Sequence, residues 1–194
     1  MSIRVGFLGI AHMHALGYAK ALNLLRPRAD GHIGVWDADP ARAGRFANST
    51  RAVTYKSADS LLSDMDAVIV ASENVFHASY IETAARAGRH VLCEKPLVTS
   101  SEDGERAIRA AEDSGIKLMT AFPCRYSPSF VRLKERVADG QIGNVVAVCA
   151  TNRGRCPFDW FVQADKSGGG AMIDHVVHVA DLLRILLASE PVRG

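Results

Sequence analysis

An open, doubly wound parallel α/β sheet followed by the beginning of an α+β unit is the fold class this sequence predicts, and three observations predict it. Short apolar segments alternate with helical patterns from residue 3 to residue 121, which calls for parallel strands with crossover helices on both faces of one sheet. Apart from Arg4, residues 3–8 are apolar, as a strand buried on both faces should be. Residues 90–93 run straight into Glu94, Lys95 and Pro96, which places charge at a strand's carboxyl end, where open parallel sheets bind ligands.

The elements follow in order. The first strand passes through Gly9-Ile-Ala-His-Met-His14 into a helical pattern over 15–25. A strand over 32–36 ends in Asp37, and Asp39-Pro40 offers an N-cap and first-turn proline for a helix to about residue 48. Residues 53–55 form a weak strand, 57–62 a short helix and 67–71 a stronger strand. Asn74 is expected to cap a helix that Gly88 ends. Pro96, which has no N–H for a neighbouring strand, stops the strand that follows. Thr99 with Glu102 makes a capping box for the next helix, and residues 117–121 close the alternation. After Pro123 the pattern changes. A helix opens at Pro128, Gly140-Gln-Ile-Gly143 turns, and residues 144–151 read as a strand. An irregular stretch over 152–167 contains Trp160 and Phe161, and a helix over 171–187 follows Gly168-Gly-Gly170.

Composition removes several functions. The formal net charge is +2, with 23 basic and 21 acidic residues and no basic run to hold a polyanion, so nucleic acid is not an expected partner. The four cysteines include no C-x-x-C pair, which argues against a zinc knuckle or dithiol motif and fits reduced thiols. Residues 176–188 are interrupted by Asp181 and Arg184, too charged and too short to cross a bilayer. The first residues lack the basic and apolar segments of a signal peptide, and a cytoplasmic protein is expected.

Gly9-x-Ala11-x-x-His14 stands where the dinucleotide fingerprint of a Rossmann sheet belongs, with glycine at the first of its three positions. The turn would bring backbone N–H groups at the helix start to a pyrophosphate, while His14 must turn outward or displace the packing. Asp37, 23 positions beyond His14, matches the carboxylate that accepts the adenosine ribose hydroxyls. It would repel a 2′-phosphate, so NAD is expected rather than NADP. Ala38 offers no phosphate donor, and Arg42 lies a helix turn away. In the last helix Asp174, His178 and Asp181 fall at i, i+4 and i+7, one polar stripe among apolar residues. A carboxylate one turn from a histidine can orient the imidazole and raise its basicity. His175 lies round the helix and reads as packing or as support behind the site residues. His12 and His14 also resemble the paired histidines of metal-dependent hydrolases. Two histidines so spaced at a helix start should diverge, and no metal is expected.

Together these stretches resemble the Gfo/Idh/MocA family of NAD(P)-dependent sugar and polyol dehydrogenases. The similarity rests on Val5-Gly-Phe-Leu-Gly9, Asp64-Met-Asp-Ala-Val-Ile-Val-Ala71, Ala87-Gly-Arg-His-Val-Leu-Cys-Glu-Lys-Pro96, Arg125-Tyr126, and Gly168-Gly-Gly-Ala-Met-Ile-Asp-His-Val-Val-His178 with Asp181. It implies that Lys95, Asp174 and His178 form the catalytic group. It further implies cofactor contacts at Gly9, Ala11, His12, Met13, Asp37, Ser72, Glu73, Asn74, His77, Glu94, Lys95 and Arg125, with Glu94 near the nicotinamide ribose. Residues 1–122 would be the dinucleotide-binding domain and 123–194 the start of a substrate-binding and oligomerisation domain. Members of the family are usually longer, so a truncated dehydrogenase assembling as a homo-oligomer is expected, with a non-catalytic NAD-binding sensor as the alternative.

Overall fold

The structure is a computed structural model, and it describes residues 3–25, 32–190 and 192. Six parallel strands form one sheet in the order β3-β2-β1-β4-β5-β6. They are β1 (Val5–Leu8), β2 (Gly34–Trp36), β3 (Val53–Thr54), β4 (Ala67–Val70), β5 (His90–Glu94) and β6 (Leu118–Ala121). The connecting helices are α1 (Ala15–Leu25), α2 (Pro40–Thr50), α3 (Ala58–Asp64), α4 (His77–Arg86) and α5 (Ser101–Asp113). The order reverses between β1 and β4, so the carboxyl ends of β1, β2, β4 and β5 border one crevice.

The uninterrupted apolar strands are explained by two cores. Leu8, Val68, Val70 and Val91 pack under α3, α4 and α5 with Leu61, Leu62, Ile81 and Ala107. Phe7, Val35 and Ile69 pack under α1 and α2 with Ala15, Ala19 and Phe46. Neighbouring residues of β1 and β4 thus serve opposite faces, as period-two strands require. The sheet sits close to α3 because Gly34 has no side chain; a Cβ there would lie 2.6 Å from Leu61 Cδ1.

Asp39 caps α2 as the sequence predicts, accepting from Ala41 N at 2.9 Å and Arg42 N at 3.2 Å. Two expected caps differ. Ser100, not Thr99, caps α5 by accepting from Asp103 N at 3.1 Å. The Thr99 side chain instead packs against the Gly168 backbone. Asn74 opens a 3₁₀ turn (Asn74–Phe76) before α4, and its amide donates to Ser167 O at 3.0 Å rather than capping.

Beyond β6 lie a 3₁₀ turn (Pro123–Tyr126), α6 (Pro128–Ala138), a 3₁₀ turn (Asp159–Val162), the short α7 (Ala164–Ser167), a π-helical turn (Met172–Val176) and α8 (Val177–Leu187). The single helix expected over 171–187 therefore starts with wider winding. The strand expected over 144–151 is absent: this stretch is irregular and exposed. Its alternating side chains fit a sheet face, but among the described residues no strand lies beside it to satisfy its backbone groups.

Candidate active site

The crevice begins at the turn after β1. Gly9 has φ +82°, and a Cβ on it would come 2.7 Å from Ser72 Cβ, so glycine is required on two counts. Gly9 N donates to Trp36 O at 2.9 Å and His12 N to Ala71 O at 2.8 Å, which ties the turn to the ends of β2 and β4. Ile10 N donates to Asp37 Oδ2 at 2.8 Å. Among the described residues no acceptor meets the N–H of Ala11 or Met13, just before α1.

At the end of β5, Glu94 is fully buried. Its Oε1 lies 2.8 Å from His14 Nδ1 and accepts the Tyr18 hydroxyl, and its Oε2 accepts Lys95 N at 2.8 Å. Burial would raise this carboxyl group's pKa, but hydrogen bonds from His14 and Tyr18 and the nearby His12 outweigh it and hold it at about 2. His12 itself is pushed down to about 4, first by burial and then by His14 and Lys95, with Glu94 opposing. It is therefore neutral at pH 7, and the hydrogen bonds are what keep Glu94 ionised.

Lys95 follows at the strand end and is only 4% exposed. Its Nζ donates to the Asp174 carboxylate, and to Asp174 O at 3.3 Å. This redirects one expectation: Asp174 holds Lys95 rather than orienting His178. His178 Nδ1 lies 3.9 Å from Cys124 Sγ. Its pKa is lowered by burial and then by the Lys95 charge, against the opposing pull of Asp174. Asp181 pairs with Arg125, whose Nε is 3.2 Å from Oδ2, so the polar stripe is divided between two partners. His175 packs against Gly154 and is 3.7 Å from Asp174, in keeping with a packing role.

The remaining expected cofactor contacts separate. Asp37 is buried at the end of β2, and its Oδ1 accepts Asp39 N at 2.8 Å and Arg42 Nε at 3.0 Å. Arg42 is thus not a turn away but in contact, and its Nη1 also reaches Glu73 Oε1 at 3.1 Å. Asn74 is 2% exposed and its Oδ1 has no partner. It borders a small recess with Phe161, Asp174 and His175. His77 lies apart from these: fully buried, its ring nitrogens meet Pro96 O at 2.8 Å and Ser72 O at 3.3 Å. It braces the loop after β4 against the loop after β5 because it starts the core face of α4.

Three features fit a dinucleotide: free N–H groups at the turn, an unpartnered buried amide oxygen, and a turn that a Cβ would fill. Pattern reading missed Trp160 and Phe161. Trp160 is buried, donates from Nε1 to Ala11 O at 3.2 Å and stacks on Phe161 at 3.8 Å, while Phe161 meets His12 edge-on at 5.4 Å. The adjacent aromatics Trp160 and Phe161 in an irregular stretch were the available signal. Tyr18, one helical turn after His14, could have been placed on the same face.

The histidines do not diverge as expected. The His12 and His14 rings lie 4.4 Å apart, and their ligand atoms and a Glu94 oxygen fall within 4.8 Å of one another. His12 Nδ1, however, accepts His14 N at 3.1 Å, and Glu94 Oε1 accepts Tyr18, so these lone pairs already serve protein partners.

A doubly wound parallel sheet with free N–H groups at its first turn, an acid at the end of β2 and a buried lysine at the end of β5 is a Rossmann-type sheet with its charged groups gathered at the crevice. The sequence model described as the oxidoreductase family with NAD-binding Rossmann fold matches residues 3–122, and the GFO/IDH/MocA C-terminal domain matches residues 130–193. The chain belongs to the Gfo/Idh/MocA family. Inositol 2-dehydrogenase of Rhizobium meliloti is 34% identical to it over 196 residues, covering 99% of this chain and 57% of that protein. Levoglucosan dehydrogenase of Pseudarthrobacter phenanthrenivorans is 31% identical, covering 94% and 49%. Among solved structures, GenD2 from gentamicin A biosynthesis in complex with NAD superposes with a TM-score of 0.83 at 29% identity, covering 99% of this chain and 55% of that one. Levoglucosan dehydrogenase in complex with NADH and levoglucosan gives 0.82 at 25%, covering 96% and 54%. The chain thus spans about half the length of these proteins.

Proposed function

We propose that this chain is the cofactor-binding and catalytic part of an NAD(P)-dependent oxidoreductase acting on a hydroxyl group of a sugar, polyol or related compound. The observation that carries the reading is Lys95, a buried ammonium ion-paired to Asp174 at the carboxyl end of β5. Burying a charge is costly unless it is paired, and a site that needs the charge is a reason to keep it there. The named activities of the relatives, inositol 2-dehydrogenase and levoglucosan dehydrogenase, support the same class.

The turn at Gly9, Ala11, His12 and Met13 would hold the pyrophosphate and Asp37 the adenosine ribose, which favours NAD over NADP. Ser72, Glu73 and Asn74, with Glu94, border the remainder of the nucleotide. The nicotinamide ring, when bound, accepts or returns the hydride. In the oxidation direction His178 takes the hydroxyl proton through Nε2, the ring nitrogen turned from Cys124. Its lowered pKa keeps it unprotonated for that step at pH 7. Lys95 donates a hydrogen bond to the same oxygen and stabilises the negative charge as the carbonyl forms. Asp174 positions Lys95, and the Arg125–Asp181 pair anchors α8 to the segment after β6.

We place the boundary between the two units near residue 122, with residues 123–194 contributing the substrate wall and the contact surface of a homo-oligomer, and the protein in the cytoplasm. Among the described residues no helix is long and apolar enough to cross a membrane.

Calorimetry with NAD, followed by absorbance of the reduced nicotinamide with a panel of inositols and sugars, tests the activity. Substrate-dependent reduction is expected. NAD binding without reduction by any of them would instead support the non-catalytic sensor.

A further inference from the structure

We infer that His14 is a cofactor-binding residue, offering its Nε2 to a hydroxyl of the nicotinamide ribose while Glu94 and Tyr18 hold its ring in place. The inference rests on the cofactor reading above. His14 occupies the third position of the dinucleotide fingerprint, where glycine only lets the helix approach the strand. The side chain that stands there instead is engaged across the crevice: its Nδ1 lies 2.8 Å from Glu94 Oε1. Glu94 is ionised and can only accept, so His14 Nδ1 carries the hydrogen. The Tyr18 hydroxyl donates to the same oxygen, and burial together with the Glu94 charge keeps that hydroxyl protonated. One carboxylate thus ties the turn after β1 and the first turn of α1 to the end of β5.

Glu94 itself is out of a ligand's reach. It is fully buried, Oε1 takes the two donors just named, and Oε2 accepts Lys95 N at 2.8 Å. His14 is the opposite case, with a side chain 44% exposed. Because Nδ1 faces the buried carboxylate, that exposure falls on the edge that carries Nε2, and among the described residues no partner meets Nε2. The rings of His12 at 4.4 Å and Tyr18 at 6.4 Å, both edge-on, limit rotation of the imidazole. A carboxylate on one ring nitrogen fixes what the other can do. The place of His14 in the crevice sets what it meets. A dinucleotide with its pyrophosphate at Ala11 to Met13 and its adenosine ribose at Asp37 must cross from β1 toward β5 to bring its nicotinamide to Lys95. Its second ribose lies on that path, and His14 bridges the turn and the residue before Lys95. A ribose hydroxyl both donates and accepts, so it can pair with the free imidazole nitrogen.

The test measures dissociation constants for NAD, ADP-ribose and ADP by calorimetry, in the wild type and in His14→Ala and His14→Asn. ADP-ribose keeps the second ribose without the nicotinamide ring, and ADP ends at the pyrophosphate. In His14→Asn the amide nitrogen takes roughly the place of Nδ1 and still donates to Glu94, but nothing reaches where Nε2 stood. Both variants should weaken NAD and ADP-ribose about fivefold, the scale of one net hydrogen bond, and leave ADP within about twofold of wild type. Equal weakening of all three ligands would put the effect on the pyrophosphate turn and overturn the inference. Wild-type affinity for ADP-ribose in folded His14→Asn would overturn it as well, whatever His14→Ala does, because Nε2 would then make no contact. If the wild type binds neither NAD nor ADP, the cofactor reading fails and this inference with it. If NAD and ADP bind but the ratio of the ADP-ribose constant to the ADP constant does not respond, this inference fails alone.

Discussion

Lys95 and His178 bear the chemical claims at the scale of single residues, and each makes a distinct prediction. Lys95→Ala should lower turnover by about 10²-fold or more, the usual scale for losing a donor to a developing oxyanion, while NAD binding persists in titration. Turnover close to wild type would contradict the role given to the ammonium. For His178, burial and the Lys95 charge both favour the neutral imidazole. The acid limb of the oxidation rate should therefore lie below the ordinary histidine value of about 6.5. A pH–rate profile whose acid limb sits above that value would exclude His178 as the base. Lys95 was legible from its place after an apolar strand. Its partner was not, because Asp174 is 79 residues away and the helical spacing that offered His178 as partner says nothing of contacts outside the helix.

Between residue and molecule stand the close approaches of whole elements. The β1 and β2 strands meet α3 through a site where Gly34 leaves no room, with Leu61 Cδ1 at 2.6 Å and Tyr55 Cε2 at 3.0 Å from an added Cβ. Gly34→Ala should destabilise the fold by about 1–3 kcal/mol, measured as a fall in the urea midpoint with the slope unchanged. The Trp160 turn covers the β1–α1 turn in the same way. Trp160→Phe keeps an aromatic ring but removes the donor to Ala11 O and part of the buried indole, and should cost about 1–3 kcal/mol in chemical denaturation together with weaker NAD binding. An unchanged NAD affinity would mean that this cover does not shape the turn. Strand and helix existence was readable here from apolar runs, Pro40, Gly88 and the Asp39 cap. The Ser100 cap and the π-helical start of the last helix were not, since neighbouring candidates such as Thr99 and Ser100 are separated only by what each packs against.

For the whole molecule, acid is the expected weakness. His12 has a pKa near 4 in the folded chain, below its ordinary 6.5, so the unfolded chain binds the extra proton between those values. Stability should be full above pH 6.5 and fall by about 3 kcal/mol as pH drops toward 4. His77 and His178, whose pKa values are also lowered, act in the same direction. Glu94, depressed to about 2, adds a further loss below pH 4.5. Urea midpoints at pH 7.5 and 4.5 check this, and equal midpoints would refute the buried, neutral state of His12.

The doubly wound sheet and the placement of Asp37, Glu94 and Lys95 at strand ends were determined by the sequence itself. Those properties follow from apolar periodicity and from proline and glycine, which act through their immediate neighbours. Tertiary structure alone decided the pairings across long separations: Arg42 with Glu73, Arg125 with Asp181, Trp160 with Ala11, and Glu94 with His14 just before α1 and Tyr18 within it. It also decided that residues 144–151 form no strand, because a strand exists only where another backbone is present to receive its hydrogen bonds.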